Sequence, residues 1–233
     1  MDDFISIKFV YKIVNIINMK HFTIDNLKNI ENEVQLKRSD AKIIAVSKTF
    51  KIDQILPLIN YGHIHFGENK VQETLSKWQN LKLENSNIKL HFVGKLQTNK
   101  VKHLLPIIDY IHSLDNLKLA KKISDEQIKK KLKPKLFVQI NFENEIQKSG
   151  IAEEKLEEFL NICQNSLSLD IVGLMCLPPN DGNHLKYFKK MKELKLKFNL
   201  KELSMGMSND YSDAIDQSAS FVRIGSKIFG PRS

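Results

Sequence analysis

From Asp40 onward, short β-branched segments alternate with amphipathic, lysine-rich segments along the chain. Each β-branched segment is an apolar run that ends in polar or glycine residues, which is typical of a buried strand followed by a loop. Between these segments, apolar residues recur every three or four positions, which predicts helices. The eight predicted strands are Ile43–Thr49, Ile64–Asn69, Leu90–Leu96, Tyr110–Leu114, Leu136–Asn141, Ile171–Leu177, Glu202–Met207 and Phe221–Phe229. This alternation indicates parallel βα units.

The number of strands decides between two arrangements of such units. An open doubly wound sheet normally needs fewer strands and favours a glycine-rich first turn of the type GxGxxG, which this chain lacks. Eight strands and 233 residues fit a closed barrel. The sequence therefore predicts an α/β fold, a single (β/α)8 TIM barrel over residues 19–233, with an extra N-terminal helix from about Ile24 to Leu36. Residues 1–18 are expected to form an N-terminal extension outside this domain.

Composition and charge argue against two classes of function, nucleic-acid binding and membrane association. The formal net charge of +9 suggests nucleic-acid binding, but only Arg38, Arg223 and Arg232 of the 36 basic residues are arginine. Surfaces that recognise phosphodiesters rely on arginine for bidentate and stacked contacts. The lysines are also spread along the chain, so we expect no nucleic-acid partner. No stretch is long and apolar enough to span a bilayer, and no membrane association is expected.

The two cysteines, Cys163 and Cys176, have no metal-ligand spacing. A disulfide framework in a chain of this length would use more cysteines, which favours a reducing compartment and a cytoplasmic location. Both residues fit small core positions, one in a helical pattern and one in a strand pattern.

Lys48 ends the first predicted strand, directly after the apolar run Ile43–Val46. In a barrel of this kind the active site lies at the carboxyl ends of the strands. Lys48 either extends from the strand end into water or serves as a partly dry, nucleophilic amine that forms Schiff bases with carbonyl compounds. The position alone leaves both interpretations open.

The ends of the seventh and eighth predicted strands carry small and hydroxyl residues. Phosphate groups in these barrels often bind to the loops after these two strands. The residues in question are Ser204, Gly206 and Ser208 after the seventh strand, and Gly225 and Ser226 after the eighth. The alternative is an ordinary turn followed by a helix that Ser208 or Asn209 caps.

Arg223 precedes Gly225 by two residues, so both face the same side of the strand. An arginine that faces the barrel mouth needs an acceptor, because burying an unpaired charge is costly. A pyridine nitrogen and the carboxylate of Glu68 are the two candidates.

Eight collinear segments between Ala45 and Gly230 resemble the pyridoxal phosphate homeostasis protein family, whose barrel is similar to the N-terminal domain of alanine racemase. They are Ala45–Thr49 (AVSKT), Phe66–Glu73 (FGENKVQE), His91–Lys100 (HFVGKLQTNK), Ile111–Asp115 (IHSLD), Lys148–Gly150 (KSG), Gly173–Met175 (GLM), Leu203–Ser208 (LSMGMS) and Val222–Gly230 (VRIGSKIFG). Lys95 departs from the pattern, since this family more often has proline there.

The resemblance implies a role for each matching residue. Lys48 would hold pyridoxal 5′-phosphate as a covalent aldimine, with Arg223 facing the pyridine nitrogen and Asn69 near the ring. The residues implied at the phosphate are Ser204, Met207, Ser208, Gly225 and Ser226. No catalytic residue and no metal site are implied.

A carrier is expected rather than an enzyme. A charged donor such as Arg223 keeps the ring nitrogen unprotonated, and the ring is then a poor electron sink. Racemases with this barrel add a second domain that supplies an opposing tyrosine, and the chain ends at Ser233 soon after the last predicted strand. A second base would have to come from His91, Lys95 or Asp115.

We therefore expect a monomeric protein that holds pyridoxal 5′-phosphate and delivers it to the apo forms of enzymes that depend on it. Weak amino acid racemase activity is the first alternative, and a sugar-phosphate aldolase or isomerase on the same barrel is another. Lys148 is either a second amine that passes the aldehyde on or a lysine of a surface loop.

Overall fold

The eight strands form a closed parallel barrel in the order of the sequence, which confirms the predicted (β/α)8 TIM barrel. A computed structural model describes residues 21–142, 149–179 and 181–231. The first strand pairs with the second and also with the eighth, and this second pairing closes the barrel. The strands are Lys42–Val46 (β1), His65–Glu68 (β2), Lys89–Phe92 (β3), Tyr110–Leu114 (β4), Lys135–Ile140 (β5), Asp170–Cys176 (β6), Glu202–Ser204 (β7) and Phe221–Ile224 (β8).

Helices lie between consecutive strands of the barrel. The α-helices of the described residues are Phe22–Lys37 (α1), Ile52–Tyr61 (α2), Val71–Glu84 (α3), Val101–Leu104 (α4), Leu117–Lys130 (α5), Leu156–Asn161 (α6), His184–Lys197 (α7), Tyr211–Asp216 (α8) and Ser226–Phe229 (α9). Short 3-10 turns precede α4 and α6, and a π-helical turn, Ile162–Ser166, continues α6. None of the helices described is long and apolar enough to cross a membrane.

The extra N-terminal helix, α1, begins before β1 and packs on the barrel. Its buried face, which includes Ile24, Leu27, Ile30 and Val34, follows helical spacing. The side chain of Asn26 donates a hydrogen bond of 3.1 Å to the carbonyl of Ile228, which ties α1 to the last helix. The prediction of this helix is confirmed to within two residues at each end. The predicted extension, residues 1–18, lies outside the described residues and stays a prediction.

The barrel separates two apolar cores. The larger one fills the space between the strands and the helices, and the smaller one lies inside the barrel around Ile44, Phe137, Met175 and Phe221. Branched and aromatic side chains from alternate strand positions fill the interior, as expected for a packed barrel. Three histidines of β2, β3 and β4 contact the ring of Phe221 within this inner core.

Both cysteines are buried and neither forms a disulfide bond, and their burial agrees with the predicted core positions. Burial raises the pKa of each thiol to about 12. Such thiols stay protonated at neutral pH and are poor nucleophiles. Cys163 and Cys176 therefore act as small core residues.

Several predicted strands end earlier than the apolar pattern suggested. The segment Phe221–Phe229 is strand only to Ile224, where pairing with β1 stops, and Ser226–Phe229 is helical. The seventh strand stops at Ser204, and Gly206 follows with φ of +89°, a left-handed conformation that favours glycine. A side chain at Gly206 would also lie 2.6 Å from Ala214 Cβ. Apolar residues that follow the strands thus pack in turns and helices.

Candidate functional site

A cavity of about 800 Å³ opens at the carboxyl ends of the strands. Seven of the eight residues predicted for the site line it: Lys48, Asn69, Met207, Ser208, Arg223, Gly225 and Ser226. They come from the ends of β1, β2, β7 and β8, so the closed barrel brings together residues that are far apart in sequence. The cavity is the candidate site.

Ser204, the eighth predicted residue, does not line the cavity. It is fully buried at the end of β7, and its Oγ lies 2.7 Å from Nη1 of Arg223 and 2.8 Å from Nδ1 of His112. Ser204 is the last residue of this three-residue strand and is buried. Ser204 thus contacts Arg223 and His112, and its contact with a phosphate stays a prediction.

The main chain on both sides of Lys48 is tied to a buried polar network. Lys77 of α3 donates a hydrogen bond of 2.9 Å from Nζ to the carbonyl of Ser47. The backbone N–H of Thr49, a residue with φ of +71°, donates a 2.5 Å bond to Oε1 of Glu73. Lys77 also contacts Glu73 at 2.9 Å, so one lysine connects both anchors. Lys48 thus projects from a turn whose backbone is held on each side.

Glu68 is the buried centre of that network. Its side chain is 0% exposed, and Oε1 accepts hydrogen bonds from Lys77 Nζ, Ser47 Oγ and Trp78 Nε1 at 2.9, 2.7 and 3.0 Å. Because these donors hold the carboxylate, the alternative that Glu68 pairs with Arg223 is wrong.

Arg223 donates two hydrogen bonds to other residues of the protein. Nη1 donates to Ser204 Oγ at 2.7 Å, and Nη2 donates to the carbonyl of Cys176 at 2.8 Å. Burial lowers the pKa of the guanidinium, whose ordinary value lies far enough above neutrality that the group stays charged. A guanidinium has five N–H donors, so these two contacts with described residues leave three, and Arg223 lines the cavity.

Two serine hydroxyls meet across the loops that follow β7 and β8. Ser226 Oγ donates a hydrogen bond of 3.1 Å to Ser208 Oγ, and both residues line the cavity.

The Asp210 carboxylate accepts a 2.6 Å bond from the N–H of Met207 and fixes the turn between β7 and α8. Asp210 is also the residue that precedes α8, so the expectation of a cap by Ser208 or Asn209 is wrong.

The side-chain oxygen of Asn69 is buried at the cavity and has no hydrogen-bond partner among the described residues. A buried amide oxygen without a partner is uncommon and costly. The backbone here is tightly packed, because a Cβ at Gly94 would lie 2.2 Å from the carbonyl oxygen of Asn69. Asn69 therefore places at the cavity wall a buried oxygen whose hydrogen bond is not made by the described residues.

Sequence reasoning missed several polar groups of the cavity wall, among them His184 and Gln139. His184 lies 2.7 Å from Asp213, from Nε2 to Oδ2, and Gln139 donates a 2.9 Å bond to the carbonyl of Ser149. His184 begins a helix and Gln139 lies within a strand, so neither stands at the end of a predicted strand. The feature that would have revealed Gln139 is a polar residue within a buried strand.

Of the three residues considered as a second base, only Lys95 lines the cavity. His91 is fully buried inside the barrel, and Asp115 is not part of the cavity wall. Lys148 lies outside the described residues. No group of three or more histidine, cysteine or carboxylate side chains in the described parts of the chain could hold a metal ion.

Comparison with known proteins agrees with this geometry. The family model "Alanine racemase, N-terminal domain" matches residues 22–233. The pyridoxal phosphate homeostasis protein of Aquifex aeolicus is 37% identical over 201 residues, which cover 82% of this chain and 87% of that protein.

Two solved structures of PipY from Synechococcus elongatus have the same fold. The structure without pyridoxal phosphate has a TM-score of 0.82 at 29% identity and covers 90% of this chain and 100% of PipY. The structure with pyridoxal phosphate bound has a TM-score of 0.76 at 30% identity, with 86% and 100% coverage. The chain therefore belongs to the alanine racemase N-terminal domain family and, within it, to the pyridoxal phosphate homeostasis proteins.

Proposed function

We propose that this chain binds pyridoxal 5′-phosphate in the cavity at the carboxyl ends of the strands, with Lys48 as the attached amine, and delivers it to apo-enzymes. The observation that carries the proposal is the meeting of Lys48, the Ser208–Ser226 hydroxyl pair and Arg223 on one cavity wall. An amine, hydroxyl donors and a cation are the groups that an aldehyde, a phosphate and a ring nitrogen require.

The residues present fit this cofactor. The cavity, at about 800 Å³, lies within the roughly 300–1,000 Å³ that small-molecule sites occupy. The unpartnered Asn69 oxygen is a polar position that a ligand can satisfy. When bound, pyridoxal 5′-phosphate supplies an aldehyde that condenses reversibly with an amine, and a ring that can stabilise a carbanion.

The chain's own residues favour binding of the cofactor without catalytic turnover of a substrate. Arg223 donates hydrogen bonds but accepts none, so the nitrogen it faces receives a hydrogen bond without receiving a proton. Lys95 lines the same cavity and is exposed, and none of the lining residues described is a buried histidine or carboxylate. This arrangement supports a carrier in preference to a two-base racemase. A cytoplasmic monomer stays our prediction.

A visible absorption spectrum tests attachment at Lys48. We expect the purified chain mixed with pyridoxal 5′-phosphate to show a new visible band, and Lys48→Ala to abolish it. Borohydride reduction followed by peptide mass spectrometry should find the added mass on Lys48. Lys95→Ala is the matched control, because it removes another lysine of the same cavity and should leave the band unchanged. A band that survives Lys48→Ala and disappears with Lys95→Ala would contradict the assignment.

Delivery is tested with an apo-enzyme that depends on the cofactor. The loaded chain should restore its activity in the presence of a phosphatase that destroys free pyridoxal 5′-phosphate, whereas an equal amount of the free cofactor should not. Recovery no greater than that from the free cofactor would contradict delivery. In parallel, incubation of the loaded chain with L-amino acids should give no accumulation of D-isomers, and steady racemisation would favour the enzymatic alternative.

A further inference from the structure

Three histidines and a serine form a continuous hydrogen-bonded row through the barrel to Arg223. His65 Nδ1 lies 2.9 Å from His91 Nε2, and His91 Nδ1 lies 2.9 Å from His112 Nε2. His112 Nδ1 lies 2.8 Å from Ser204 Oγ, which accepts from Arg223 at 2.7 Å. The row runs from the start of β2 to the candidate site, through the middle of β3 and β4.

The inner core holds these rings in place. His91 stacks on Tyr110 with ring centroids 4.3 Å apart and planes 12° apart, and His112 stacks on Phe137 at 4.4 Å and 15°. His91 and His112 are 0% exposed. Burial lowers the pKa of both rings well below the ordinary value of 6.5, and the charge of Arg223 lowers that of His112 further. The rings are therefore neutral, with one N–H and one acceptor nitrogen each.

Arg223 determines the direction of every bond in the row. Its guanidinium only donates, so Ser204 Oγ must accept from it. The serine hydrogen then goes to His112 Nδ1, which leaves the hydrogen of His112 on Nε2, and the same step repeats at His91 and His65. In the reverse direction, Ser204 would accept twice, and its hydrogen would have no acceptor among the described residues. A buried donor without an acceptor is costly, so one direction is selected.

This direction strengthens the hold on Arg223. A hydroxyl that donates a hydrogen bond is a better acceptor, because chains of hydrogen bonds polarise one another. The row cannot pass a proton to the cavity, since Arg223 does not accept one. Its effect is to orient the guanidinium, whose other fixed contact is the carbonyl of Cys176.

We propose that His65, His91, His112 and Ser204 form a positioning chain that fixes Arg223 as a hydrogen-bond donor to the ligand of the cavity, through a single tautomer with hydrogen on Nε2 of each histidine. The inference rests on the proposed function for the identity of that ligand. It assigns the three histidines, none of which lines the cavity, a role in how the cofactor is bound.

The tautomers are measured first, in the chain without cofactor. Nitrogen-15 NMR of the histidine rings should show hydrogen on Nε2 and an unprotonated Nδ1 for His91 and His112 at neutral pH. Hydrogen on Nδ1 of His112 would overturn the inference. This measurement needs no cofactor, so it tests the positioning chain independently of the proposed function. If the wild type shows no visible band with pyridoxal 5′-phosphate, that result would contradict only the proposed function.

Variants then test the effect on binding of pyridoxal 5′-phosphate. Ser204→Ala and His112→Phe should each weaken binding about tenfold and shift the maximum of the visible band, since each removes a link to Arg223. The double variant should be no weaker than either single one, because both cut the same chain. His112→Asn, whose oxygen can take the place of Nδ1, should bind nearly as the wild type does.

The control is His103→Phe, the same substitution at an exposed histidine, which should change neither affinity nor spectrum. Wild-type affinity and spectrum in both Ser204→Ala and His112→Phe would overturn the inference. Ser204→Ala removes a single oxygen and keeps the test decisive if His112→Phe does not fold.

Discussion

Replacing Lys77 with methionine is expected to lower the free energy of unfolding by about 3–5 kcal/mol, the cost of leaving a buried charge without its partner. Methionine has nearly the length of the lysine stem, so packing changes little while the charge is lost. Glu68 is 0% exposed and would keep only the neutral donors Ser47 and Trp78. The carboxylate would then have to stay charged in an apolar surrounding or take up a proton, and both destabilise the folded state.

Urea unfolding of Lys77→Met beside the wild type measures this loss. Lys37→Met is the matched control, because Lys37 forms a 2.6 Å ion pair with Asp216 whose side chains are 37% and 48% exposed. Exposed pairs contribute about 0–1 kcal/mol, so the control should lose less than about 1 kcal/mol. Equal losses in the two variants would contradict the view that burial makes the Glu68–Lys77 pair critical.

Lys77→Met should also weaken binding of pyridoxal 5′-phosphate. Lys77 holds the carbonyl of Ser47 and also contacts Glu73, which holds the N–H of Thr49, so the turn that carries Lys48 would lose its anchor. The double variant Lys77→Met/Glu68→Gln removes the buried charge and should recover much of the stability. Its affinity for pyridoxal 5′-phosphate should stay low, because the carbonyl of Ser47 still lacks the hydrogen bond from Lys77.

The barrel could be predicted from the sequence because periodicity reports burial directly. Each strand is an apolar run and each helix has an apolar stripe, so the number and order of elements follow from the pattern. Strand ends were less predictable: Ser226–Phe229 continues the apolar run of β8 but is helical. Periodicity over four residues does not distinguish a strand from one helical turn.

The residues of the site at the mouth of the barrel could be predicted for a related reason. In a barrel, every strand ends at the same mouth, so knowing that Lys48, Asn69 and Gly225 follow strands was enough to bring them to one cavity. Depth along a strand was not predictable. Ser204 and Ser208 are four residues apart and look equivalent in sequence, yet one is buried below Arg223 and the other lines the cavity.

The partners of the buried polar groups were beyond sequence reasoning. Glu68 and Lys77 are nine residues apart, one on a strand and one on a helix, and their contact depends on how α3 packs. His91 and His112 each stand alone in an apolar segment, where a single histidine has no periodic signal. Their relation to Arg223 depends on the register of neighbouring strands, which sets His91 and His112 each two residues beyond the position paired with the preceding histidine.

These same histidines should make the protein lose stability steeply in mild acid. In the folded state, burial holds the pKa of His91 and His112 well below the ordinary value of 6.5, and it lowers the pKa of His63 and His65 to about 4. In the unfolded chain the imidazoles are in water and take up protons near pH 6.5. Between those values the unfolded state binds protons that the folded state does not, so stability is complete above pH 6.5 and falls as the pH falls.

His91 and His112 alone should give a slope that approaches about 2.7 kcal/mol per pH unit between pH 6 and 5, since each proton contributes about 1.4 kcal/mol per unit. Urea unfolding at pH 7.5, 6.0 and 5.0 measures it. His112→Asn should reduce the slope by about 1.4 kcal/mol per unit, whereas His103→Gln should not change it, because that side chain is exposed. A free energy of unfolding that stays constant from pH 7.5 to 5.0 would show that the folded state takes up as many protons as the unfolded chain, which would contradict neutral buried rings in mild acid. A protonated imidazole carries N–H on both ring nitrogens, so folded rings that took up protons in this range would interrupt, in mild acid, the single tautomer that runs to Arg223.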